Sequence, residues 1–218
     1  MEDLYNKASL VLTPQMVETG KVYSMKPEDR KGDFTFSRST AATRVNASGN
    51  IEKETQNLLV QSNTFDTTWI KSNTSVTSGQ SGYDGSSDAW KLIQNTTNTF
   101  HFIYQNVSTT SVCTYSIYAK AGEYSGIAFF FPNLGGTSTA TSFNLSTGAF
   151  ITNTHNATAQ DVGNGWYRIS LLSKPSGSAN FNTYVNQTIQ QSEAGDGTSG
   201  IYIQDAQLEQ GLVARDYI

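Results

Sequence analysis

Charge is what this chain most lacks. Asp, Glu, Lys and Arg make up 15% of its 218 residues, against roughly 25% in an ordinary globular protein. With a formal net charge of −4, there is no basic footprint for nucleic acid or for an anionic membrane surface. Cysteine is nearly absent: Cys113 is the single one, so no disulfide framework is possible. The only histidines, His101 and His155, are too few for a Cys/His zinc site. Long apolar runs are missing as well, so no membrane helix and no signal-peptide core is expected. Stripes of Ala, Leu, Glu and Lys at helical spacing are not found, which argues against a bundle.

What is there is polar, uncharged and aromatic. Thr, Ser, Asn and Gly supply about two residues in five, and aromatics 11%. So many aromatics with so little net charge argue against a disordered chain.

The chain has two textures. Residues 1–56 hold Pro14 and Pro27, a charged turn at Asp29–Asp33, and only short apolar pieces. They read as an extended N-terminal arm with a few strands, too thin to bury a core alone. Its Tyr5, Leu10, Leu12, Val22, Tyr23, Phe34 and Phe36 are therefore expected to dock on a partner chain or particle.

Residues 57–218 alternate with period two. Cys113, Tyr115, Ile117 and Ala119 fall on one face of a strand; Tyr167, Ile169 and Leu171 do the same in another, and Ile201–Leu208 forms a third. Tyr, Phe, Ile, Val and Thr suit a half-buried pleated surface. Gly163-Asn164-Gly165, Thr147-Gly148, Tyr83-Asp84-Gly85 and Gly195-Asp196-Gly197 supply turns between them. The fold expected is all-β: an antiparallel two-sheet jelly-roll β-sandwich behind the arm.

Catalytic signals are weak. Neither histidine lies near a Gly-x-Ser-x-Gly turn, and both are expected at the surface or rim. Asp205 and Glu209 share one predicted strand, about 13 Å apart, too far for a glycosidase pair. Asp205 is open to two readings: a calcium ligand, or a carboxylate held by a backbone amide or Arg215. No catalytic residue, metal or cofactor is expected.

Sugar binding is the better ligand class, because flat C–H faces stack on aromatic rings while amides meet hydroxyls. Trp69, Tyr83, Trp90, Tyr124 and Trp166 lie beside turns or polar clusters and are the candidate platforms. Their other reading is as caps on the sandwich core or an oligomer interface.

Several stretches together resemble a known family. Gly32–Asn46 with Gly49–Glu52 is similar to a segment near the start of tailed-bacteriophage virion proteins. Asn57–Phe65 with Trp69-Ile70-Lys71, Tyr115–Gly122, Asp161–Arg168, Ala194–Ile203 and Ala206–Glu209 resemble a jelly-roll module that follows it. Their order and spacing carry the resemblance, from about residue 32 to 218. Such modules are similar to carbohydrate-binding modules and occur in tail fibres, head fibres and decoration proteins.

The resemblance implies a virion structural protein with no enzymatic activity: a short fibre, decoration protein or adaptor. The implied partners are other virion proteins (capsid or tail), further copies of the chain as a homotrimer, and a host-surface glycan; neither nucleic acid nor membrane is among them. The implied location is the virion, after synthesis in the bacterial cytoplasm. Two rivals stand beside it: a polysaccharide-degrading enzyme, and a free carbohydrate-binding module of a secreted bacterial protein.

Overall fold

The computed structural model describes residues 6–18, 21–26, 34–35, 43–45, 51–53, 56–132, 135, 138–186 and 192–217. The chain divides into two units, residues 1–54 and 55–218. Every named element of either unit, among the described residues, is a β-strand.

The first unit contains β1 (Val11–Glu18), β2 (Lys21–Lys26), β3 (Phe34–Thr35), β4 (Thr43–Val45) and β5 (Ile51–Lys53). Its strands pair with one another, as a three-stranded sheet in the order β1-β2-β3 and as the hairpin β4-β5. Local pairing satisfies backbone N–H and C=O groups that a bare extended segment leaves to water or to a partner.

The second unit holds β6 (Ile70–Ser72), β7 (Thr74–Gln80), β8 (Ala89–Gln94), β9 (Phe102–Thr109), β10 (Cys113–Ala121) and β11 (Gly126–Pro132). It continues with β12 (Ser138–Asn144), β13 (Ala149–Thr152), β14 (Thr158–Gly163), β15 (Trp166–Ser173), β16 (Gly177–Asn186) and β17 (Gly200–Gln210). They form two six-stranded sheets. Sheet I runs β14-β15-β10-β17-β8-β7 and sheet II runs β13-β12-β11-β16-β9-β6. Every pairing is antiparallel. Consecutive strands repeatedly change sheet: β9, β11 and β16 lie in sheet II while β10 and β17 lie in sheet I. Each crossing brings two inner faces together, so the sandwich expected from the alternation is the architecture found.

Cys113, Tyr115, Ile117 and Ala119 of β10 enter the core, as do Ile169 and Leu171 of β15, with Tyr167 packed against it. Ile127, Phe129 and Phe131 of β11 and Phe181 and Val185 of β16 meet them from sheet II. The turn Gly163-Asn164-Gly165 joins β14 to β15 with φ of +93°, +54° and +78°, a left-handed run that Gly and Asn adopt at least cost.

The alternation of β17 breaks once. Ile201 and Ile203 point inward, and then Ala206 and Leu208 do. Between them the register with β10 slips and Asp205 takes a φ of +50°. This is a β-bulge, one residue too many on one strand. Asp205 and Glu209 therefore do not share the regular spacing expected of them.

Candidate functional site

The five aromatics singled out in the sequence do not converge on one surface. Trp69 and Trp166 are 2% and 1% exposed, so neither presents a ring face to a ligand. The Trp69 ring packs on Phe65, at 5.0 Å between centroids, and its Nε1 donates to the Gln61 carbonyl at 3.3 Å. Trp90 is also buried and donates to the Asn63 carbonyl at 2.9 Å. Tyr124 is half-buried against the core, and burial pushes its hydroxyl pKa upward. Tyr83 is half-buried, stacked on Tyr118 at 3.6 Å and 2° and edge-on to Trp166. Trp69 and Trp90 belong to the main core, whereas Trp166 is buried in a separate cluster with Ala89 and Tyr118, against which Tyr83 packs; each indole gains more from burial than from standing beside its polar neighbours in sequence.

Of the proposed docking side chains, Tyr5 and Phe36 lie outside the described residues. Leu12 falls in β1, Val22 and Tyr23 in β2, and Phe34 in β3. Leu10 precedes β1 and is 49% exposed.

Both histidines, expected at the surface or rim, are buried. His101 Nδ1 lies 2.6 Å from the Asn73 carbonyl and Nε2 2.9 Å from that of Glu193. His155 Nε2 donates to the Phe131 carbonyl at 2.9 Å, and its Nδ1 accepts from the Thr141 hydroxyl at 2.9 Å. Interstrand polar groups hold these rings inside, which the residues flanking them did not disclose.

Desolvation lowers the His155 pKa from its ordinary value of 6.5, the Phe131 contact opposing it. A base depressed in the folded state favours folding fully above its unfolded pKa and loses that contribution as pH falls below it. An NMR titration is expected to place the His155 midpoint below 6.5. A midpoint at or above that value would contradict this account of the burial.

Asp205 does not meet Arg215. The Tyr83 hydroxyl donates to its Oδ2 at 3.1 Å, while Arg215 approaches Glu209 at 4.0 Å. Gln204 Nε2 donates to Asp88 Oδ1 at 2.8 Å, tying the loop before β8 to the bulge. Among the described residues, no three His, Cys, Asp or Glu side chains are placed to hold a metal ion.

The surface the sequence did not disclose is the outer face of sheet II. On β9, Ile103 points into the core, so Phe102, Tyr104 and Asn106 point out. On β16, Phe181 and Val185 point in, so Asn180, Asn182 and Tyr184 point out. Register sets Tyr184 beside Phe102, Asn182 beside Tyr104, and Asn180 beside Asn106. The row extends from Asn182 to Phe130 on β11 and from Tyr104 to Ile70 on β6.

The rings touch. Phe102 and Tyr184 lie 4.7 Å apart at 34°, Phe102 and Tyr104 5.9 Å at 37°, and Phe100 stands edge-on to Tyr184 at 6.0 Å. Tyr184 is the buried support at 7% exposure, whereas Phe100 is 40% exposed. Phe102, Tyr104 and Phe130 are half-buried. Amides border the strip. Asn182 Nδ2 donates to the Phe130 carbonyl at 2.7 Å, and Asn106 Nδ2 to Asn180 Oδ1 at 2.8 Å. No outward residue in these paired rows carries a charge. Chemically the face offers aromatic surface for C–H groups and amides for hydroxyls.

No family model matches the chain, and no curated protein is significantly similar to it. Solved structures do match in part. The module TmCBM61, determined with beta-1,4-galactotriose, is 13% identical, with a TM-score of 0.43 over 72% of this chain and 99% of its own. The enzymatically active domain of bacteriophage CBA120 tailspike protein 4 is 17% identical with a TM-score of 0.42, over 72% of this chain and 21% of its own. TmCBM27, a carbohydrate-binding module that recognises mannan, is 8% identical with a TM-score of 0.34, over 80% and 100%. Similarities this loose do not bear on what this chain binds; its own residues do.

Proposed function

We propose that the 55–218 sandwich binds neutral glycan chains on the outer face of sheet II. The observation that carries this reading is the continuous strip of Phe100, Phe102, Tyr104 and Tyr184 bordered by Asn106, Asn180 and Asn182. Phe100 is exposed and Phe102 and Tyr104 partly so, and aromatic surface left on an outer sheet face is a usual place for a binding role. A neutral, amide-edged strip matches an uncharged polyhydroxyl ligand better than an ionic one.

In the fuller reading, the chain is a structural protein of a tailed-bacteriophage particle and has no enzymatic role. Residues 1–56 anchor it to other virion proteins, the chain assembles as a trimer, and the sandwich meets host-surface glycans. The resemblance of Gly32–Asn46 and the ordered segments after it supports this. So does the exposure of Leu10 and Met25, at 49% and 41%. The uncharged Thr-, Ser- and Asn-rich composition suits a displayed surface.

The test is an array of neutral host polysaccharides, with affinities followed by calorimetry. Phe102→Ala and Tyr104→Ala are each expected to weaken binding about tenfold or more, as truncating a central aromatic anchor does. Unchanged affinity in both variants would remove the site. Deleting residues 1–56 is expected to abolish incorporation into particles; a truncated chain that still incorporates would remove the anchoring role.

A further inference from the structure

We infer that the opposite sheet carries a second, independent site, a cleft for an acidic sugar residue. The chain after β17 turns back across the outer face of sheet I. Gly211 N donates to the Val112 carbonyl at 2.9 Å, Thr114 Oγ1 to the Gly211 carbonyl at 2.9 Å, and Arg215 N to Glu209 Oε1 at 2.7 Å. Between this strap and the edge strand β14 lies a cleft of about 300 Å³, the lower end of the range for small-molecule sites.

The register explains its lining. Gln160 of β14 pairs with Arg168 of β15, and Thr158 with Ser170, all on the outward parity because Ala159 and Ile169 face the core. Leu172, Leu212 and Val213 supply the apolar side. The two strap residues are 66% and 71% exposed.

Arg168 is the one charged side chain among the lining residues, in a chain of net charge −4. Its guanidinium is fixed in place. It lies over the Tyr118 ring at 5.4 Å, and Nη2 donates to the Arg215 carbonyl. Yet its Nε is out of water and without a hydrogen-bond partner among the described residues. That atom is enclosed, so a ligand in the cleft meets the outer edge of the Arg168 guanidinium, and a carboxylate is the group that satisfies such an edge. Hydroxyl and amide groups at Thr158, Gln160 and Ser170 then face the sugar hydroxyls, and Leu172, Leu212 and Val213 face its C–H side. A hexuronic acid residue combines all three requirements; a simple carboxylate leaves the last two unused.

The experiment is an NMR titration of the full chain with glucuronate, glucose and acetate. Glucuronate is expected to shift the Arg168 Nε–H and the amides of residues 158–172 and 211–215, with affinity falling as salt is raised. Glucose is expected to bind about tenfold or more weakly there, and acetate likewise. Arg168→Gln should remove the response. Gln160→Ala, an exposed edge-strand change that leaves the strap contacts intact, should weaken it and serves where Arg168→Gln unfolds. Phe102→Ala should leave it unchanged, which separates this cleft from the sheet II site. Equal responses to glucose and glucuronate, acetate matching glucuronate, or full binding by the Gln160 variant would each overturn the proposal.

Discussion

Replacing Gly200 by Ala is expected to lower the melting temperature by about 10 °C. The first residue of β17 pairs with Ile93 of β8. A Cβ built there falls 2.0 Å from the Leu92 carbonyl oxygen, 2.8 Å from its carbon and 3.1 Å from Ile93 Cα. All three are backbone atoms of the neighbouring strand, so no side-chain rotation relieves the clash. The strands must part, breaking part of the ladder between β17 and β8. Overpacking a filled interior costs about 1–3 kcal/mol and sometimes more, and a domain of this size loses about 2–4 °C per kcal/mol.

The comparison is Gly85→Ala. Gly85 has a φ of +85°, but a Cβ added to it would meet nothing within 4 Å, leaving only the left-handed backbone cost of about 1–2 kcal/mol. Thermal melts of the two variants separate the mechanisms. Equal losses would show that contact with β8 is not what demands glycine at position 200.

Asp205→Asn is expected to stabilise the protein near pH 7.5. Burial is the main cause that raises the Asp205 pKa from 3.8 to about 6. The Tyr83 hydrogen bond opposes this, and the negative charges of Asp88 and Asp84 add to it. Asp205 is 7% exposed. An acid raised in the folded state contributes its full stability below its unfolded pKa, and that contribution is lost as pH rises through the folded pKa. Above about pH 6 the penalty is complete. Two pKa units correspond to about 3 kcal/mol, of which about 1–3 kcal/mol is expected once solvent screening is allowed for.

Asn keeps an oxygen for the Tyr83 hydroxyl and tolerates the φ of +50° at least as well as Asp. The variant should therefore melt several degrees above the wild type at pH 7.5, with the difference closing by pH 4. A variant less stable at pH 7.5 would mean that something neutralises this carboxylate in the folded protein.

The legible parts of the fold were those with local causes. Alternation in Val112–Lys120 placed Cys113, Tyr115, Ile117 and Ala119 inward because period two is a property of the strand itself. Gly163-Asn164-Gly165 announced its hairpin because few other residues accept three successive positive φ values. The proposed binding face was not legible. Phe102 and Tyr104 read as ordinary strand residues, and Tyr184 lies far from them along the chain. Only the β9–β16 register sets them side by side. The tryptophans misled for the converse reason: polar neighbours in sequence say little about a side chain whose Nε1 finds a carbonyl in another segment, as Trp90 does at Asn63.

Composition and periodicity alone determined that this chain is all-β and sandwich-forming, since both follow from side-chain chemistry and a two-residue repeat. Which face of which sheet carries open aromatic rings, where β17 bulges to bring Asp205 to Tyr83, and how the last residues roof a cleft over Arg168 were decided by tertiary structure. Those features arise from pairings between segments far apart in the chain, whose register is fixed by burying both inner faces at once.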